Sequence, residues 1–305
     1  MDIYKESESL VTFKVKTDEE KIETTLKTEF SVSSRLFCKL IKNRSLFLNG
    51  ENAHRKDKAK IGDIIAIILP DEEDTNVKQD DIPLEIIYED FDLILLNKQP
   101  NIVVHPTKNH PYGTILNGMS YYFEQNNIRK KVRFVNRLDR DTSGVLVLAK
   151  NSFGHQQMSK QFIDDNVEKG YMAVVDGIIE NDEGVIDVPI GREDDEDSII
   201  RVVRLDGKES ITKYKVVERY KNTTLLSLKL ETGRTHQIRV HLKHIGHPIV
   251  GDPLYNKEIE LINRQALHSY YLKFNSVRSG EPIEVRAELP EDIKRVIEVA
   301  KVQEI

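Results

Sequence analysis

The segment Asn136-Arg137-Leu138-Asp139-Arg140-Asp141-Thr142-Ser143-Gly144 alternates guanidinium and carboxylate. It then breaks into small residues before the apolar run Val145-Leu146-Val147-Leu148. A loop this charged, set against a buried strand, brings two acids and two guanidiniums up to an apolar wall. Such a wall disfavours an ionised carboxylate and a neighbouring guanidinium favours it, which is how a nucleophile or a general base is tuned. The same residues would also serve as an ion-pair cluster closing the strand. By itself the segment leaves a reactive and a structural reading open.

Three later segments are richer in polar residues than their surroundings require. In Glu168-Lys169-Gly170-Tyr171-Met172-Ala173-Val174-Val175-Asp176, Tyr171 begins an apolar strand. A tyrosine there is ordinarily core, yet its ring can stack on a base and its hydroxyl can move a proton. In Leu230-Glu231-Thr232-Gly233-Arg234-Thr235-His236-Gln237-Ile238-Arg239-Val240-His241, Gly233 suits a sharp turn and Thr235 suits the cap of a following helix. His236 and Arg239 then share one helix face, aiming an imidazole and a guanidinium at the same place. His241, His244 and His247 follow, but without a clear carboxylate or cysteine partner they read as packing or surface histidines, and no metal is expected. In Arg264-Gln265-Ala266-Leu267-His268-Ser269-Tyr270-Tyr271-Leu272, Leu267 reads as core.

The elements that must hold these residues are mostly strands. Ile86–Asp90 and Leu93–Lys98 face each other across an acidic turn, and further strands are expected at 144–149, 171–178, 211–217, 224–230, 271–274 and 283–287. Helices are expected at 121–125, 152–164, 236–245 and 291–302. Many strands with scattered helices and no regular alternation indicate an α+β fold with a mixed, largely antiparallel sheet. Upstream, residues 1–30 alternate apolar and polar as strands do. Ser34 is placed to cap a helix carrying Leu36, Leu40 and Ile41, and Asn49-Gly50 marks a hairpin before a strand over 61–69.

The chain has 305 residues, a net charge of -6 and 39% hydrophobic residues, as an ordinary folded protein does. No apolar run is long enough to span a bilayer, the N-terminus lacks the order of a signal peptide, and Cys38 alone can form no internal disulfide, so a reducing cytoplasm is expected. The acidic total hides segregation. Between Arg35 and Lys60 there are eight Lys or Arg residues against Glu51 and Asp57, and from Arg129 to Arg140 six cations against Asp139. Acids gather at Asp71–Asp74, Asp80-Asp81 and Glu193–Asp197. A polyanion needs a local positive footprint, not a positive total. Either basic run read alone is equally a solvated face.

Taken together, these segments resemble the RluA-type family of RNA pseudouridine synthases, over about Pro83 to the C-terminus. The charged loop and the Gly-Arg-Thr-His-Gln-Ile-Arg-Val-His segment carry the likeness, supported by Asn97-Lys98, His105-Pro106, Lys169 with Tyr171, and Gly246–Asp252. Residues 33–69 resemble the RNA-binding module named for ribosomal protein S-four. The implied organisation is an N-terminal RNA-binding part over 1–70, an acidic linker over 71–82 and a catalytic domain over 83–305. The resemblance implies that Asp139 is the catalytic aspartate, that Arg239 pairs with it, that Tyr171 packs on the target base and that Leu267 floors the pocket. It places Arg137 beside the aspartate, with Asn136, Arg234 and His236 as further substrate contacts and Arg35, Lys39, Lys42, Arg44, Arg55 and Lys56 as RNA contacts. Asn136 departs from the pattern, since the family usually has histidine there. The reaction implied turns uridine into pseudouridine within structured RNA, with no cofactor, in a monomer, and ribosomal RNA of the large subunit is favoured over transfer RNA. Of the two acids, Asp139 is expected to react and Asp141 to cap the turn. A vestigial RNA-binding assembly factor and a nucleoside hydrolase are the competing readings. The presence of Asp139, Tyr171 and Arg239 counts against the first, and the close spacing of Asp139 and Asp141 against the second.

Overall fold

The computed structural model describes residues 5–18, 20–70, 77–106, 111–195 and 198–302. From the N-terminus come β1 (Leu10–Lys14), β2 (Glu20–Lys21), α1 (Ile22–Thr28), α2 (Ser34–Lys42), β3 (Leu46–Leu48), β4 (Glu51–Asn52), β5 (Lys58–Ala59) and β6 (Ile64–Ile68). They form a small sheet in the order β1-β6-β3-β4, a ribbon of β2 with β5, and two helices over a shared apolar core. The alternation before residue 30 predicts an antiparallel strand or two and no helix there. Instead Ile22, Thr25 and Leu26 lie on one buried face at helical spacing, and residues 22–28 coil into α1. Ser33, not Ser34, caps α2: it keeps an extended backbone and its hydroxyl accepts the Leu36 amide at 3.2 Å. Asn49 and Gly50 both take positive φ (50° and 91°), the geometry a two-residue hairpin between twisted strands requires.

The rest of the chain runs β7 (Ile86–Glu89), β8 (Leu93–Lys98), α3 (Ile115–Gln125), β9 (Arg133–Phe134), β10 (Ser143–Ala149), α4 (Ser152–Ile163), β11 (Glu168–Asp176), β12 (Glu183–Asp187), β13 (Ile190–Arg192) and β14 (Arg201–Val203). It continues through β15 (Ile211–Arg219), β16 (Thr223–Leu230), α5 (Gln237–His244), β17 (Leu267–Asn275), β18 (Pro282–Arg286) and α6 (Glu291–Val302). The large sheet has the order β12-β15-β16-β11-β17-β10-β8-β7, with β9 beside β10 and β18 beside β17. This is the mixed, largely antiparallel α+β fold expected. Its parallel joint is β10 with β17, where Ser143 faces His268 and Gly144 faces Ser269. Gly144 has φ 111°, and a Cβ there would stand 2.1 Å from the Ser269 carbonyl oxygen, so the joint closes only with glycine.

Alternation along β8 and β10 sorts the core. Leu93, Leu95, Val145 and Val147 pack towards Met158 of α4, whereas Ile94, Leu96, Leu146 and Leu148 pack towards Ile115, Met119 and Phe123 of α3. A further core joins β11 and β16 to Ile238 and Leu242 of α5 and to Ile293 and Val296 of α6. Helix α3 starts well before residue 121, because Thr114 and Asn117 form a capping box. The weak helix formers Asn117 and Gly118 hide that start in the sequence. Part of the expected linker, residues 71–76 with the acids Asp71–Asp74, lies outside the described residues, as do Glu196 and Asp197. The remainder is tied down, since the Asn117 amide donates to the Lys78 carbonyl at 2.8 Å and Asp80 accepts the Gly113 amide at 2.8 Å.

Candidate active site

The charged loop enters the sheet at the parallel joint, and its backbone is pinned from several strands. The Thr142 amide donates to the Asp139 carbonyl at 3.1 Å, closing the turn. Arg264 donates to the Asp141 carbonyl at 2.9 Å, and Gln265 donates to the Thr142 hydroxyl at 3.0 Å. From β8, the fully buried Lys98 reaches the carbonyls of Arg140 (2.8 Å), Gln99 (2.9 Å) and Ile102 (3.2 Å). Burial pushes its pKa down to about 7, while three carbonyl acceptors match the three donors of the charged form. Asp141 does not cap the turn as expected. Its carboxylate accepts from Arg140 Nε at 3.0 Å, because the backbone of Asp139 already closes the loop.

Arg239 and His236 come to this loop from α5. Arg239 is 4% exposed and its fork is fully engaged: Nε and Nη2 each donate to Asp252 at 2.7 Å, and Nη1 donates to Asp139 Oδ2 at 3.1 Å. Burial works against the guanidinium, but its hydrogen bonds to Asp252 and the charges of both acids outweigh it and hold its pKa above the ordinary value. Asp252 is held in turn by the amides of Leu254 and Tyr255 at 3.0 and 3.2 Å. His236 Nε2 stands 3.8 Å from the same Asp139 Oδ2. Burial lowers the His236 pKa, with Asp139 pulling the other way. The Arg201 amide donates to the Tyr255 hydroxyl at 2.8 Å, and the hydroxyl, 2.8 Å from His236 Nδ1, can give that nitrogen its hydrogen. In that tautomer His236 Nε2 carries the proton that faces Asp139.

The turn before α5 differs from the expectation in detail. Thr235 provides no cap, and Gly233 does not supply the left-handed residue. His236 itself occupies the N-cap with φ 57°. The Gln237 side chain makes this strained bend possible, accepting from the Arg234 amide and the Thr232 hydroxyl at 2.9 Å each. His241 is likewise spent on structure, with Nδ1 on Thr212 and Nε2 on the Val188 carbonyl. Among the described residues no group of three or more His, Cys, Asp or Glu converges as metal ligands would.

A cavity of about 70 Å³ lies over this network, lined by Asp139, Tyr171, Leu230, Ile238, Arg239 and Leu267 among others. It adjoins an open groove of about 560 Å³ that adds Asn136, Lys169 and Thr232 to Arg137, Asp139 and Arg234. Tyr171 is buried, and burial pushes its pKa up to about 12, so its phenol stays protonated at neutral pH. Arg137 and Arg234 are exposed at the mouth, Arg234 with Nε on the Glu209 carbonyl at 3.0 Å. Asn136 is partly committed inward, its Oδ1 accepting the Val147 amide at 2.8 Å. The residues expected to touch RNA upstream form a separate surface. Arg35, Lys39 and Lys42 lie on the exposed face of α2, and Arg44 and Lys56 are exposed nearby. Arg55 lies over the Phe37 ring and pairs with Glu23 at 3.4 Å. Reading the sequence did not single out Asp252, Tyr255 or Arg264. An acid and a tyrosine three residues apart after Gly251 are a weak signal without α5 in view.

The comparisons with known proteins agree with this geometry. The family pattern described as RNA pseudouridylate synthase matches residues 92–244, a span holding Asp139, Tyr171 and Arg239. An RNA pseudouridine synthase of Bacillus subtilis, YlyB, is 41% identical over 85% of this chain and 86% of its own. A ribosomal large subunit pseudouridine synthase D of Xanthomonas campestris is 37% identical over 88% of this chain and 84% of its own. Among solved structures, human RNA pseudouridylate synthase domain containing 1 superposes with a TM-score of 0.58 at 28% identity, covering 68% of this chain and 83% of that one. The chain belongs to the RNA pseudouridylate synthase family and is an RNA pseudouridine synthase.

Proposed function

We propose that this enzyme isomerises uridines of ribosomal RNA, those of the large subunit foremost, with Asp139 as the reacting carboxylate. The supporting observation is the one-sided anchoring of that carboxylate. Arg239 Nη1 and His236 Nε2 both approach Oδ2, which leaves Oδ1 for the substrate in the cavity lined by Tyr171 and Leu267. Arg239 has its own charge answered by Asp252, so it orients Asp139 without quenching it. The C1′–N1 bond breaks, the detached uracil turns, and a C1′–C5 bond forms while N1 gains a proton and C5 loses one. Asp139 either attacks C1′ as a nucleophile or takes the 2′ proton to give a glycal. The protonated Tyr171 packs its ring on the base, Leu267 floors the pocket, and Arg137, Asn136, Arg234 and His236 hold the surrounding nucleotide. Only the chain's own side chains take part, in a monomer. Extracting a uridine from a folded RNA costs a few kcal/mol, about what stacking and phosphate contacts return.

The choice of RNA rests on relatives named ribosomal large subunit pseudouridine synthase D, at 35–37% identity. The N-terminal part, read as an RNA-binding module of the S-four type, presents Arg35, Lys39 and Lys42 to the phosphates. The test is modification of large-subunit ribosomal RNA by purified enzyme, with positions mapped against a deletion strain. Asp139→Asn is expected to abolish product while RNA binding persists. Full activity in that variant would remove Asp139 from the chemistry, and modification confined to transfer RNA would overturn the assigned substrate.

A further inference from the structure

The N-terminal part and the catalytic sheet meet through a dense set of polar contacts made by α4 and by the turn after β17. Helix α4 follows β10 directly, and three of its side chains reach the short connection between α1 and α2. Gln156 holds both sides of that connection, its Oε1 accepting the Ser33 amide at 3.0 Å and its Nε2 donating to the Ser31 carbonyl. Gln157 donates to the Phe30 carbonyl at 2.8 Å, and Lys160 donates to the Ser31 hydroxyl at 2.7 Å. Ser33 is the cap of α2, so the helix bearing Arg35, Lys39 and Lys42 is anchored through its cap to α4. Below these contacts Phe153 of α4 is 1% exposed and stands edge-on to Phe13 at 5.8 Å, inside the N-terminal core.

A second set is made by Arg278, Asp92 and Lys150. Arg278 donates to both oxygens of Asp92 at 2.5 and 3.1 Å and to the Leu10 carbonyl of β1 at 2.9 Å. Asp92 is 1% exposed, and it also accepts from Asn151, the cap of α4, at 2.8 Å. Lys150, 3% exposed, pairs with Glu89 at 3.1 Å and with Glu8 at 3.4 Å. The Arg278–Asp92 and Lys150–Glu89 pairs lie within the catalytic part, where breaking a buried pair is costly, so they hold Arg278 and Lys150 in place to reach the Leu10 carbonyl and Glu8 across the junction. Amide side chains bonded to backbone carbonyls on the facing part fix the geometry through direction.

We propose that Gln156, Gln157 and Arg278 lock the N-terminal part in one orientation relative to Asp139, and that this lock is a determinant of which uridine is modified. The mechanical path is short: the basic face of α2, its Ser33 cap, α4, then β10 and the loop that carries Asp139. With the path rigid, an RNA stem seated on α2 can present only uridines at one displacement and angle to the cavity. A loosely tethered part would raise local RNA concentration without choosing among uridines.

The inference rests on the RNA reading of α2, and the experiment separates the two. In a Cys38→Ser background, which removes the sole cysteine, spin labels at Lys14→Cys on β1 and Val185→Cys on β12 report the distance between the parts. One narrow distribution, unchanged by RNA, is expected; a broad or two-peaked distribution in otherwise wild-type protein overturns the lock. Gln156→Ala/Gln157→Ala, which leaves the buried ion pairs in place, is expected to broaden the distribution. On large-subunit RNA it is expected to lower kcat/KM at the cognate uridine about tenfold and to spread product to other uridines, with kcat on a short oligonucleotide of the target loop unchanged. A broadened distribution with unaltered site choice overturns the selecting role. If the α2 cations prove irrelevant to RNA affinity, the RNA reading fails while the distance result stands.

Discussion

The active-site end of the large sheet and the basic face of α2 both gather charge, and they do so in opposite ways. At the active site the ionic groups are buried or half-buried and partnered atom by atom: Asp252 with Arg239, Arg239 with the half-buried Asp139, Lys98 with three carbonyls. On α2, Arg35, Lys39 and Lys42 point outward over the small core of Leu36, Phe37 and Leu40. The first arrangement defines a position and the second defines a field. Chemistry on one carbon needs a carboxylate fixed to within a fraction of an ångström. Attraction of a phosphate backbone needs only net charge on a surface and tolerates many geometries.

The largest effect expected from breaking that contrast is at Asp252. Replacing it by asparagine keeps the shape but takes away the charge answering a guanidinium that is 4% exposed. Breaking a buried ion pair costs up to about 3–5 kcal/mol, less here because Asp139 remains beside Arg239, and losing one preorganised electrostatic partner typically lowers kcat by about 10²–10³. Asp252→Asn is therefore expected to depress kcat at least a hundredfold with KM little changed, and to lower the unfolding midpoint. A variant that is destabilised but keeps its kcat once folded would show that Asp139 needs no oriented Arg239.

A smaller, graded effect is expected on α2. Replacing Arg35, Lys39 and Lys42 together by alanine is expected to raise KM and Kd for structured RNA, leave kcat alone, and flatten the salt dependence by roughly 0.7–0.9 per lost phosphate contact. Unchanged affinity and slope would leave α2 without a role in binding. Deleting the whole N-terminal part is not an equivalent experiment. It would uncover Phe153 and strip Lys150 of Glu8 and Arg278 of the Leu10 carbonyl.

How much of this was legible in the sequence follows from the range of the interactions. Several strands of the large sheet show as short apolar runs such as Leu93–Leu96 and Val145–Ala149, and Asp139, Tyr171, Arg239 and Leu267 all line one cavity. Local patterning could not place Asp252 or Tyr255, whose roles depend on α5 reaching them from across the fold. It misplaced the bend before α5, because Gln237 rather than glycine stabilises the left-handed residue there. The short hairpin of β13 and β14 escaped for a different reason: three residues per strand are too few for alternation to register. The union of the two parts through Gln156 and through Arg278 on the Leu10 carbonyl is likewise invisible locally, since its partners lie more than 120 positions apart.

The smallest effect concerns the wall behind the site. His268 is fully buried beside Leu267, with Nδ1 on the Ser143 hydroxyl at 2.9 Å and Nε2 on the Ala287 carbonyl at 3.2 Å. A carbonyl accepts only, so Nε2 carries the proton and Nδ1 takes the Ser143 hydrogen, which is the neutral ring. Burial pushes its pKa from 6.5 down to about 4. The unfolded chain therefore binds a proton between pH 6.5 and 4 that the folded protein refuses, and stability present above pH 6.5 drains away as the pH falls through that window. His268→Gln removes the titrating group. The stability difference between wild type and variant is expected to be constant above pH 7 and to shift in the variant's favour by pH 4, as read by chemical denaturation at each pH. A difference that stays flat across the window would mean that the Ser143–His268 joint opens to admit the proton. The parallel seam beneath Asp139 would then be more mobile than its glycine and its buried contacts allow.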